Sequence, residues 1–407
     1  MQQLSLPQSL HTLLTRIQDA GFLAYAVGGC VRDSLLGRPI SDWDVTTNAT
    51  PTEIKSIFAD CRTIDTGIQH GTVTVLWEGD SYEVTVFRVD GEYADGRHPN
   101  QVAFTTSLEE DLARRDFTVN AMAYSPSEGI VDPFGGRADL EKGLLRAVGE
   151  PTRRFTEDAL RILRGVRFAS VLGFSIEEET AKAMVALAPR LSLVSLERIL
   201  VELTKTFIGK DAFAVLSLYH GVVKYAWPCL ESEALYFDGL SLFPYLPSDI
   251  DTRMAALFSP LGEKVTPALL LSLKCSREKA TTVSRLVEKF HRSPPQDLYE
   301  EKCLLADHGL DFCLKITDLW NAKIKKEGKT PTKYPKNRDY WQALASRNIC
   351  LSLSSLAVNG SILKSLGISD GKVIGDTLHH LLEKVMREEL PNEKTALITY
   401  LSSHFSL

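Results

Sequence analysis

The stretch Tyr25-Ala-Val-Gly-Gly-Cys-Val-Arg-Asp-Ser-Leu-Leu-Gly-Arg-Pro-Ile-Ser-Asp-Trp-Asp-Val-Thr-Thr47 decides the fold of this chain. An apolar run over residues 22–27 stops at Gly28 and Gly29, and a short amphipathic segment follows over residues 30–36. This order predicts a strand, a tight glycine turn and the start of a helix. The head of the chain is therefore expected to contain an α/β sheet.

The glycine turn is a candidate phosphate-binding site. Backbone N–H groups at a helix N-terminus carry partial positive charge, and Gly28 and Gly29 let an anion approach closely. Arg32, in the first turn of the predicted helix, adds a fixed cation. A Gly-Gly pair before a helix, taken alone, is more often a plain turn.

Two carboxylates, Asp42 and Asp44, follow on a second short apolar stretch. If that stretch is a strand, residues two apart point to the same face, so the two carboxylates converge. Two hard oxygen ligands suit Mg²⁺, and magnesium beside a phosphate-binding turn suits nucleotidyl transfer. A solvated surface Asp-x-Asp is the alternative, but its combination with the glycine turn and Arg32 favours the metal site.

This string resembles the first motif of the class II tRNA nucleotidyltransferase and bacterial poly(A) polymerase superfamily, Gly-Gly-x-Val-Arg-Asp, then Leu-Leu-Gly, then Asp-x-Asp. The resemblance implies an α/β nucleotidyltransferase head of the polymerase beta type with a mixed sheet, followed by an all-α neck, body and tail. We expect a catalytic head over residues 1–140 and a base-recognising neck over 141–207. A helical body over 208–293 and a tRNA-binding tail over 294–407 follow.

A third carboxylate, Glu83, stands on a predicted strand over residues 82–88, where alternation puts Glu83, Thr85 and Phe87 on one face. Polymerases of the superfamily often carry a third carboxylate on a neighbouring strand, so the resemblance makes Glu83 a candidate catalytic residue. A surface charge on an edge strand is the alternative. The polar segment 89–101 has no core periodicity and is predicted to be a mobile loop.

Arg114-Arg-Asp-Phe-Thr-Val-Asn-Ala121 resembles the second motif of the superfamily, in which the second arginine and the aspartate address nucleotide phosphate and ribose. The resemblance therefore implies nucleotide-binding roles for Arg115 and Asp116. Taken alone, the string predicts a helix entry with a salt bridge. Asp132-Pro-Phe-Gly-Gly-Arg-Ala-Asp-Leu140 resembles the third motif, a linker that closes the head onto the next domain.

The pattern turns helical near residue 156 and stays so to the C-terminus. A predicted helix over residues 156–168 carries Asp158, Arg161, Arg164 and Arg167 at three-residue steps, so the four side chains are neighbours on a shallow spiral. The arginines either hold anions or pair with glutamates such as those at 177–179.

Cytosine and adenine share one hydrogen-bonding edge, an amino donor beside an unprotonated ring nitrogen, and uracil and guanine present the reverse. A carboxylate that accepts from the amino group, beside a guanidinium that donates to the ring nitrogen, fits C and A and mismatches U and G. Asp158 and Arg161 make that pair. Their string resembles the fourth motif, which acts as a protein template, and Arg164 and Arg167 match positions that hold the nucleotide. Residues 195–203 resemble the fifth motif, a bracing helix.

Composition bounds the remaining possibilities. The 407 residues suffice for several domains, and 44% hydrophobic with 24% charged residues is ordinary for a water-soluble protein. No apolar stretch approaches the ~18 residues of a membrane span, and the N-terminus carries no export signal, so a cytoplasmic location is expected. The seven cysteines show no metal-ligand spacing and are expected to be reduced core residues.

The net charge of −6 requires any RNA contact to be local. Two basic places qualify, the arginines between 146 and 167 and the tract over residues 323–338, for which a solvated linker is the alternative.

The resemblance implies an enzyme that adds C, C and A to tRNA 3′ ends from CTP and ATP with release of pyrophosphate, using Mg²⁺. Relatives that add only CC, only A or a poly(A) tail remain alternatives, although a complete 89–101 segment favours A addition. A small-molecule nucleotidyltransferase and an inactive RNA-binding protein are more remote. No membrane partner is expected, and the oligomeric state is open.

Overall fold

The computed structural model describes residues 3–68, 71–90, 102–330, 335–347 and 349–404. The chain divides into two compact units, Met1–Glu233 and Ala234–Leu407.

The first unit opens with alternating strands and short helices. Its elements, in chain order, are α1 (Gln8–Asp19), β1 (Ala24–Val27), α2 (Gly29–Leu35), β2 (Asp44–Thr47), α3 (Pro51–Ile57), β3 (Thr63–Gly67), β4 (Thr72–Trp77), β5 (Asp80–Val86), β6 (Arg88–Asp90), β7 (Val102–Phe104), α4 (Leu108–Ala113), β8 (Ala123–Ser125), β9 (Gly129–Val131), α5 (Gly136–Glu141) and β10 (Leu144–Leu145). The predicted strand, glycine turn and helix at residues 22–36 are confirmed.

Within the described residues, seven of these strands form one sheet in the order β3-β4-β5-β2-β1-β8-β9. Strands β2 and β5 run parallel, whereas the other neighbours are antiparallel, so the sheet is mixed as expected. The β1 and β2 strands lie in its middle and carry the first motif. A cluster that includes Tyr25, Val27, Phe87, Leu112 and Ala123 forms a buried core beside them.

Local sequence explains the ends of several elements. The Thr50 hydroxyl accepts a hydrogen bond from the Glu53 amide, and the Thr50 amide donates one to the Glu53 carboxylate, so α3 begins with the predicted capping box. Gly28 precedes α2 with φ +83°, a conformation that disfavours any residue with a Cβ atom. The glycine is thus needed for the turn itself.

Helices dominate the rest of the first unit. They are α6 (Pro151–Glu157), α7 (Leu160–Leu172), α8 (Glu178–Leu187), α9 (Leu196–Phe207), α10 (Ala212–Leu218) and α11 (His220–Ala226), with the short strand β11 (Ser175–Ile176) between α7 and α8. Strand β11 pairs with β10 in parallel.

Three expectations about local structure were wrong. The helix predicted over residues 156–168 is two helices, because α6 ends at Glu157 and Asp158 has extended backbone angles, φ −141° and ψ 105°. Strand β2 begins at Asp44, so Asp42 lies before the strand and the period of two does not apply to it. Residues 88–90 form strand β6, paired with β7, so the segment that follows Arg88 begins as a strand. The predicted loop over residues 91–101 lies outside the described residues.

The second unit is helical in the part of the chain that the structure describes. Its helices are α12 (Glu233–Leu240), which starts at the last residue of the first unit, α13 (Ile250–Phe258), α14 (Thr266–Ser272), α15 (Arg277–Phe290), α16 (Leu298–Lys326), α17 (Arg338–Ala345), α18 (Gly360–Ser365), α19 (Gly371–Met386) and α20 (Lys394–His404). Gly309, with φ +78°, interrupts α16. Among the described helices, none has the length and apolarity to cross a bilayer.

The basic tract over residues 323–338 is not simply a solvated linker, because it begins in the last turn of α16. Several of its cations already face acidic groups: Lys326 lies 2.6 Å from Asp238, and Lys329 lies 2.7 Å from Glu327. Arg338 pairs with Asp318. Much of the charge of the tract is therefore balanced inside the protein.

Candidate active site

The glycine turn between β1 and α2 lies directly against an arginine of the second motif. The Gly28 amide donates to the Met122 carbonyl at 3.0 Å, which fixes the turn next to β8. A Cβ atom on Gly28 would come within 2.9 Å of Arg115 Nη1. Gly28 is therefore required both by its backbone angles and by the close approach of the guanidinium.

Arg32 is buried and held in one orientation. Its guanidinium donates to both carboxylate oxygens of Asp33, at 3.0 and 2.7 Å, and to Asn120 Oδ1. The ring of Phe168 packs against it, with the guanidinium carbon 5.1 Å from the ring centroid. The predicted fixed cation is thus present next to the turn, and an element 136 residues further along the chain helps to fix it.

Asp44 lies beside two other carboxylates. It pairs in register with Glu83 across β2 and β5, and both side chains are exposed. The atoms packed around Asp44 raise its pKa, Arg115 opposes that shift, and the negative charges of Glu83 and Asp42 add to it. Among the described residues, no group of three or more His, Cys, Asp or Glu side chains is arranged to hold a metal ion. The three acids are therefore neighbours that do not form a closed cage of ligands.

Arg115 is anchored at one edge only. Its Nη2 donates to Asp111 Oδ2 at 3.2 Å, whereas its buried Nε has no hydrogen-bond partner among the described residues. Asp111 also accepts two hydrogen bonds from Arg114, at 3.0 and 2.8 Å. One carboxylate thus accepts from two guanidinium groups beside the glycine turn.

Asp116 is buried and fully engaged. It accepts from Arg164 Nε at 2.7 Å, from Asn120 Nδ2 at 3.0 Å and from the Phe117 amide at 2.8 Å. Burial opposes ionisation, but the charge of Arg164 and the hydrogen bond from Asn120 outweigh it and lower the pKa of Asp116 to about 2. Asp116 is consequently an anion at every physiological pH.

Asp158 and Arg161 are joined through the backbone, where the Arg161 amide donates to the Asp158 carbonyl at 3.0 Å, but among the described residues no hydrogen bond links their side chains. Asp158 accepts from the Leu160 amide at 3.0 Å and from Arg198 Nη2 at 2.7 Å. Arg161 donates to Glu157 at 2.8 Å and to the Arg114 carbonyl at 3.0 Å. The side chains of Asp158 and Arg161, on the two sides of the α6–α7 break, therefore have separate supports.

Arg167 has a supporting position. Its Nε lies 2.5 Å from Glu202 on α9, and its guanidinium carbon lies 4.0 Å from the Phe168 ring centroid. Glutamates 177–179 are not its partners; Glu177 lies 3.3 Å from Arg146 instead. The α9 helix thus braces α7 through Glu202, as the resemblance to the fifth motif implies.

One cavity of about 420 Å³ collects most of the expected site residues. Lining it are Gly28, Gly29, Arg32, Asp44, Arg114, Arg115, Asp116, Asn120, Asp158, Leu160, Arg161, Arg164, Phe168 and Arg198. Asp42, Glu83 and Arg167 are expected site residues that do not line it. Six arginines and three aspartates surround the space, so its lining is cationic in a chain whose net charge is −6.

Sequence reasoning missed four residues that shape this cavity. Asn120 lies inside the second motif, four residues after Asp116, but the motif predicts no role for it. Asp111 precedes Arg114 and Arg115 by three and four residues, a spacing that favours ion pairs on a helix. Arg198 and Glu202 lie four residues apart on one face of α9, where the resemblance to the fifth motif implies only a bracing helix.

Three family profiles match the chain. The Poly A polymerase head domain matches residues 24–146, the Probable RNA and SrmB- binding site of polymerase A matches 173–225, and the tRNA nucleotidyltransferase domain 2 matches 249–401. The CCA-adding enzyme of Leuconostoc mesenteroides subsp. mesenteroides is 50% identical over 95% of this chain and 98% of that protein. The CCA-adding enzyme of Streptococcus suis is 38% identical over 96% of this chain and 94% of that protein.

This chain belongs to the family of CCA-adding enzymes. A crystal structure of the Bacillus stearothermophilus CCA-adding enzyme in complex with CTP has the same fold, with a TM-score of 0.82 and 32% sequence identity. The match covers 97% of this chain and 96% of that one. The family comparison confirms the expected nucleotidyltransferase head with a mixed sheet, followed by a helical remainder, and it confirms that the protein is a nucleotidyltransferase.

Proposed function

We propose that this protein adds C, C and A in turn to the 3′ end of tRNA, from CTP and ATP, with release of pyrophosphate and without a nucleic-acid template. The observation that carries the proposal is the cationic cavity, which places fixed arginines, a carboxylate at its edge and a candidate base-reading pair around one space. Relatives named CCA-adding enzyme, 36–50% identical over nearly the whole chain, support it.

The triphosphate fits the end of the cavity formed by the glycine turn. Arg32 and Arg115 place two guanidinium groups beside Gly28 and Gly29, and the unpartnered Nε of Arg115 offers a donor to a phosphate oxygen. Arg164 and Asp116 form a rigid pair that we assign to the ribose side of the nucleotide. Arg167 acts behind them, through Glu202 and Phe168.

The carboxylates fit Mg²⁺. The ion prefers oxygen ligands and is usually held by one or two carboxylates together with water and substrate phosphates, so an open protein site completed by the triphosphate matches Asp42 and Asp44. Glu83, across from Asp44, adds negative charge to the same place. Bound magnesium would supply a lower pKa for the attacking 3′-hydroxyl and charge neutralisation for the triphosphate.

Base choice rests on Asp158 and Arg161. Asp158 accepts hydrogen bonds and Arg161 donates them, which matches the shared edge of cytosine and adenine. Arg198, the Leu160 amide and Glu157 fix the two side chains before a base arrives, so their hydrogen-bonding sense is set by the protein. A base with the reversed edge offers no matching group to the half-buried Asp158 or to the buried Arg161, at roughly 1–3 kcal/mol for each lost contact.

The proposal divides the chain into a catalytic head (1–140), a base-recognising neck (141–207), a body (208–293) and a tRNA-binding tail (294–407). It also includes a cytoplasmic site of action, where tRNA, CTP and ATP are present together.

The test is the 3′-end sequence of a tRNA transcript that lacks its terminal CCA. After incubation with purified protein, Mg²⁺, CTP and ATP, the transcript should end in CCA and gain no further residues. With CTP alone it should stop after two cytidines. A product that ends in CC, in a single A or in a run of A residues under the full mixture would contradict the proposal.

A further inference from the structure

Asp111 lies at a junction of elements around the site, although no motif points to it. Its side chain is completely buried in the last turns of α4. One carboxylate oxygen accepts from Arg114 and, at 3.3 Å, from the backbone amide of Arg88. The other accepts from Arg115 at 3.2 Å and from Thr46 Oγ1 at 3.4 Å. Thr46 is two residues beyond Asp44 on β2, so Asp111 joins the strand of the catalytic aspartate to the arginines of the second motif.

Arg115 interacts with two carboxylates that have different expected roles, Asp111 as a support and Asp44 as a metal ligand. Its Nη2 is held by Asp111, whereas its positive charge also acts on Asp44 and stabilises the ionised form of that residue. Only one of these two acids is buried: Asp111 is inaccessible, and Asp44 is exposed at the cavity.

A direct Arg115–Asp44 ion pair would compete with the proposed function. In such a pair, the Asp44 carboxylate would no longer be free to bind a metal ion. The Arg115 guanidinium would no longer be free to bind a phosphate. The two groups attract each other, so some other contact must keep them apart. Within the described residues, the contact that holds the Arg115 guanidinium is the one to Asp111.

We infer that Asp111 is a positioning residue that holds Arg115 away from Asp44, so that Asp44 remains available for a metal ion and Arg115 for a phosphate. The inference rests on the proposed function. Asp111 itself touches neither substrate nor metal.

The test measures metal binding without turnover, through the electron paramagnetic resonance signal of free Mn²⁺ titrated with full-length protein in the absence of nucleotide. Asp111→Asn keeps the shape of the side chain and removes its charge. Arg115 should then move onto Asp44, and Mn²⁺ affinity should fall about fivefold or more. In an Arg115→Gln background, adding Asp111→Asn should change Mn²⁺ affinity by less than about twofold, because the competing cation is gone.

The matched control is Asp139→Asn. Asp139 is also buried and also accepts from a threonine hydroxyl, Thr118, and an arginine, Arg146, but these partners are not Arg115 or a residue of β2. Its variant should lose thermal stability without a change in Mn²⁺ affinity. An equal loss of affinity on adding Asp111→Asn in both backgrounds, or no loss in either, would overturn the inference.

A second variant covers the case in which Asp111→Asn does not fold. If Asp111 already keeps Arg115 off Asp44, Arg115→Gln alone should alter Mn²⁺ affinity by less than about threefold. A much larger gain would mean that Arg115 blocks Asp44 in the native protein, contrary to the inference.

CCA addition by the wild type is a separate readout. If the wild type does not add CCA, the proposed function is wrong but the Mn²⁺ result still holds. If the wild type adds CCA but the Mn²⁺ affinities do not change as expected, only the role of Asp111 is wrong.

Discussion

Asp44 lies directly across from Glu83 in the parallel pair formed by β2 and β5. Residues paired in this way point to the same face of a sheet, so the two carboxylates are neighbours, and the negative charge of Glu83 adds to the raised pKa of Asp44 that burial causes. The alternative for Glu83 was a surface charge on an edge strand. Strand β5 is flanked by β4 and β2, so it is not an edge strand. Two like charges held together on an exposed face are costly unless a cation binds there.

Glu83→Gln should therefore impair catalysis and not merely alter the surface. We expect kcat for CTP addition to fall at least tenfold, about 1.4 kcal/mol of transition-state stabilisation, with the larger loss at low Mg²⁺ concentration. Steady-state kinetics over a range of Mg²⁺ concentrations measure this. Asp65→Asn, which changes an exposed carboxylate on β3 paired with Lys55, is the control and should be neutral. Wild-type kinetics for Glu83→Gln would leave that residue as a surface charge.

Asp42→Ala and Asp44→Ala should each abolish addition of both C and A, because a metal ligand serves every nucleotide in turn. Binding of the tRNA, measured by gel shift, should stay within about threefold of wild type, since ligation of the metal serves chemistry and not docking. A variant that kept more than roughly a hundredth of the wild-type rate, a loss of under ~2.7 kcal/mol, would remove that aspartate from the metal site.

Sequence predicted the parts of this site that depend on neighbours along the chain. The strand, glycine turn and helix around Gly28, and the capping box at Thr50, each follow from a few adjacent residues, and each is present. The contacts that decide the roles of the polar residues are between distant positions. Arg164 meets Asp116 across 48 residues, and Asp158 meets Arg198 across 40. Periodicity carries no information about such pairs.

The break at Asp158 shows how a local pattern can mislead. The three-residue spacing of Asp158 and the arginines that follow it fits a single helix. Residues 157–160, where the helix breaks, include neither proline nor glycine. Asp158 leaves the helical conformation where its carboxylate accepts from the Leu160 amide and from Arg198. Side chains of this type compete with the helix for backbone N–H groups, and a tertiary partner on α9 decides the competition.

Asp116 should make stability depend on pH in the acid range. Its pKa is about 2 in the folded protein against about 3.9 in an unfolded chain, so it contributes stability above the unfolded value and loses it as pH falls through the folded value. The contribution near neutral pH is on the order of 2 kcal/mol. Urea unfolding should show Asp116→Asn to be destabilised at pH 7, with a gap from wild type that narrows between about pH 4 and pH 2. A gap independent of pH would mean that the loss comes from hydrogen bonds alone.

The basic tract is still predicted to touch the tRNA. Lys323, Lys325, Lys326 and Lys329 are exposed, although two of them pair with nearby acids. Changing all four to glutamine should weaken tRNA binding and flatten its dependence on salt, because fewer counterions are released. Affinity measured at several salt concentrations tests this, with kcat at saturating tRNA as the control, which should not change. An unchanged salt slope would assign these lysines to internal ion pairs.

Base choice gives the most specific prediction, because it follows from the direction of two sets of hydrogen bonds. Asp158→Asn introduces a side chain that can donate to O4 of uracil, and Arg161→Ala removes donors that oppose the protonated N3 of that base. In the double variant, kcat/KM for UTP should rise relative to CTP on a tRNA lacking CCA. The absolute rate should fall, since Arg161 also holds Glu157 and the Arg114 carbonyl.

Two further variants separate base reading from structure. Arg198→Ala removes the arginine that anchors Asp158 but leaves the acceptor in place, so KM for CTP and ATP should rise while the UTP to CTP ratio stays low. Lys182→Gln, an exposed change on α8 remote from the cavity lining, should alter neither quantity. If the double variant keeps the wild-type ratio while both rates fall together, Asp158 and Arg161 are structural supports of α7, and the discrimination against uracil comes from another part of the cavity.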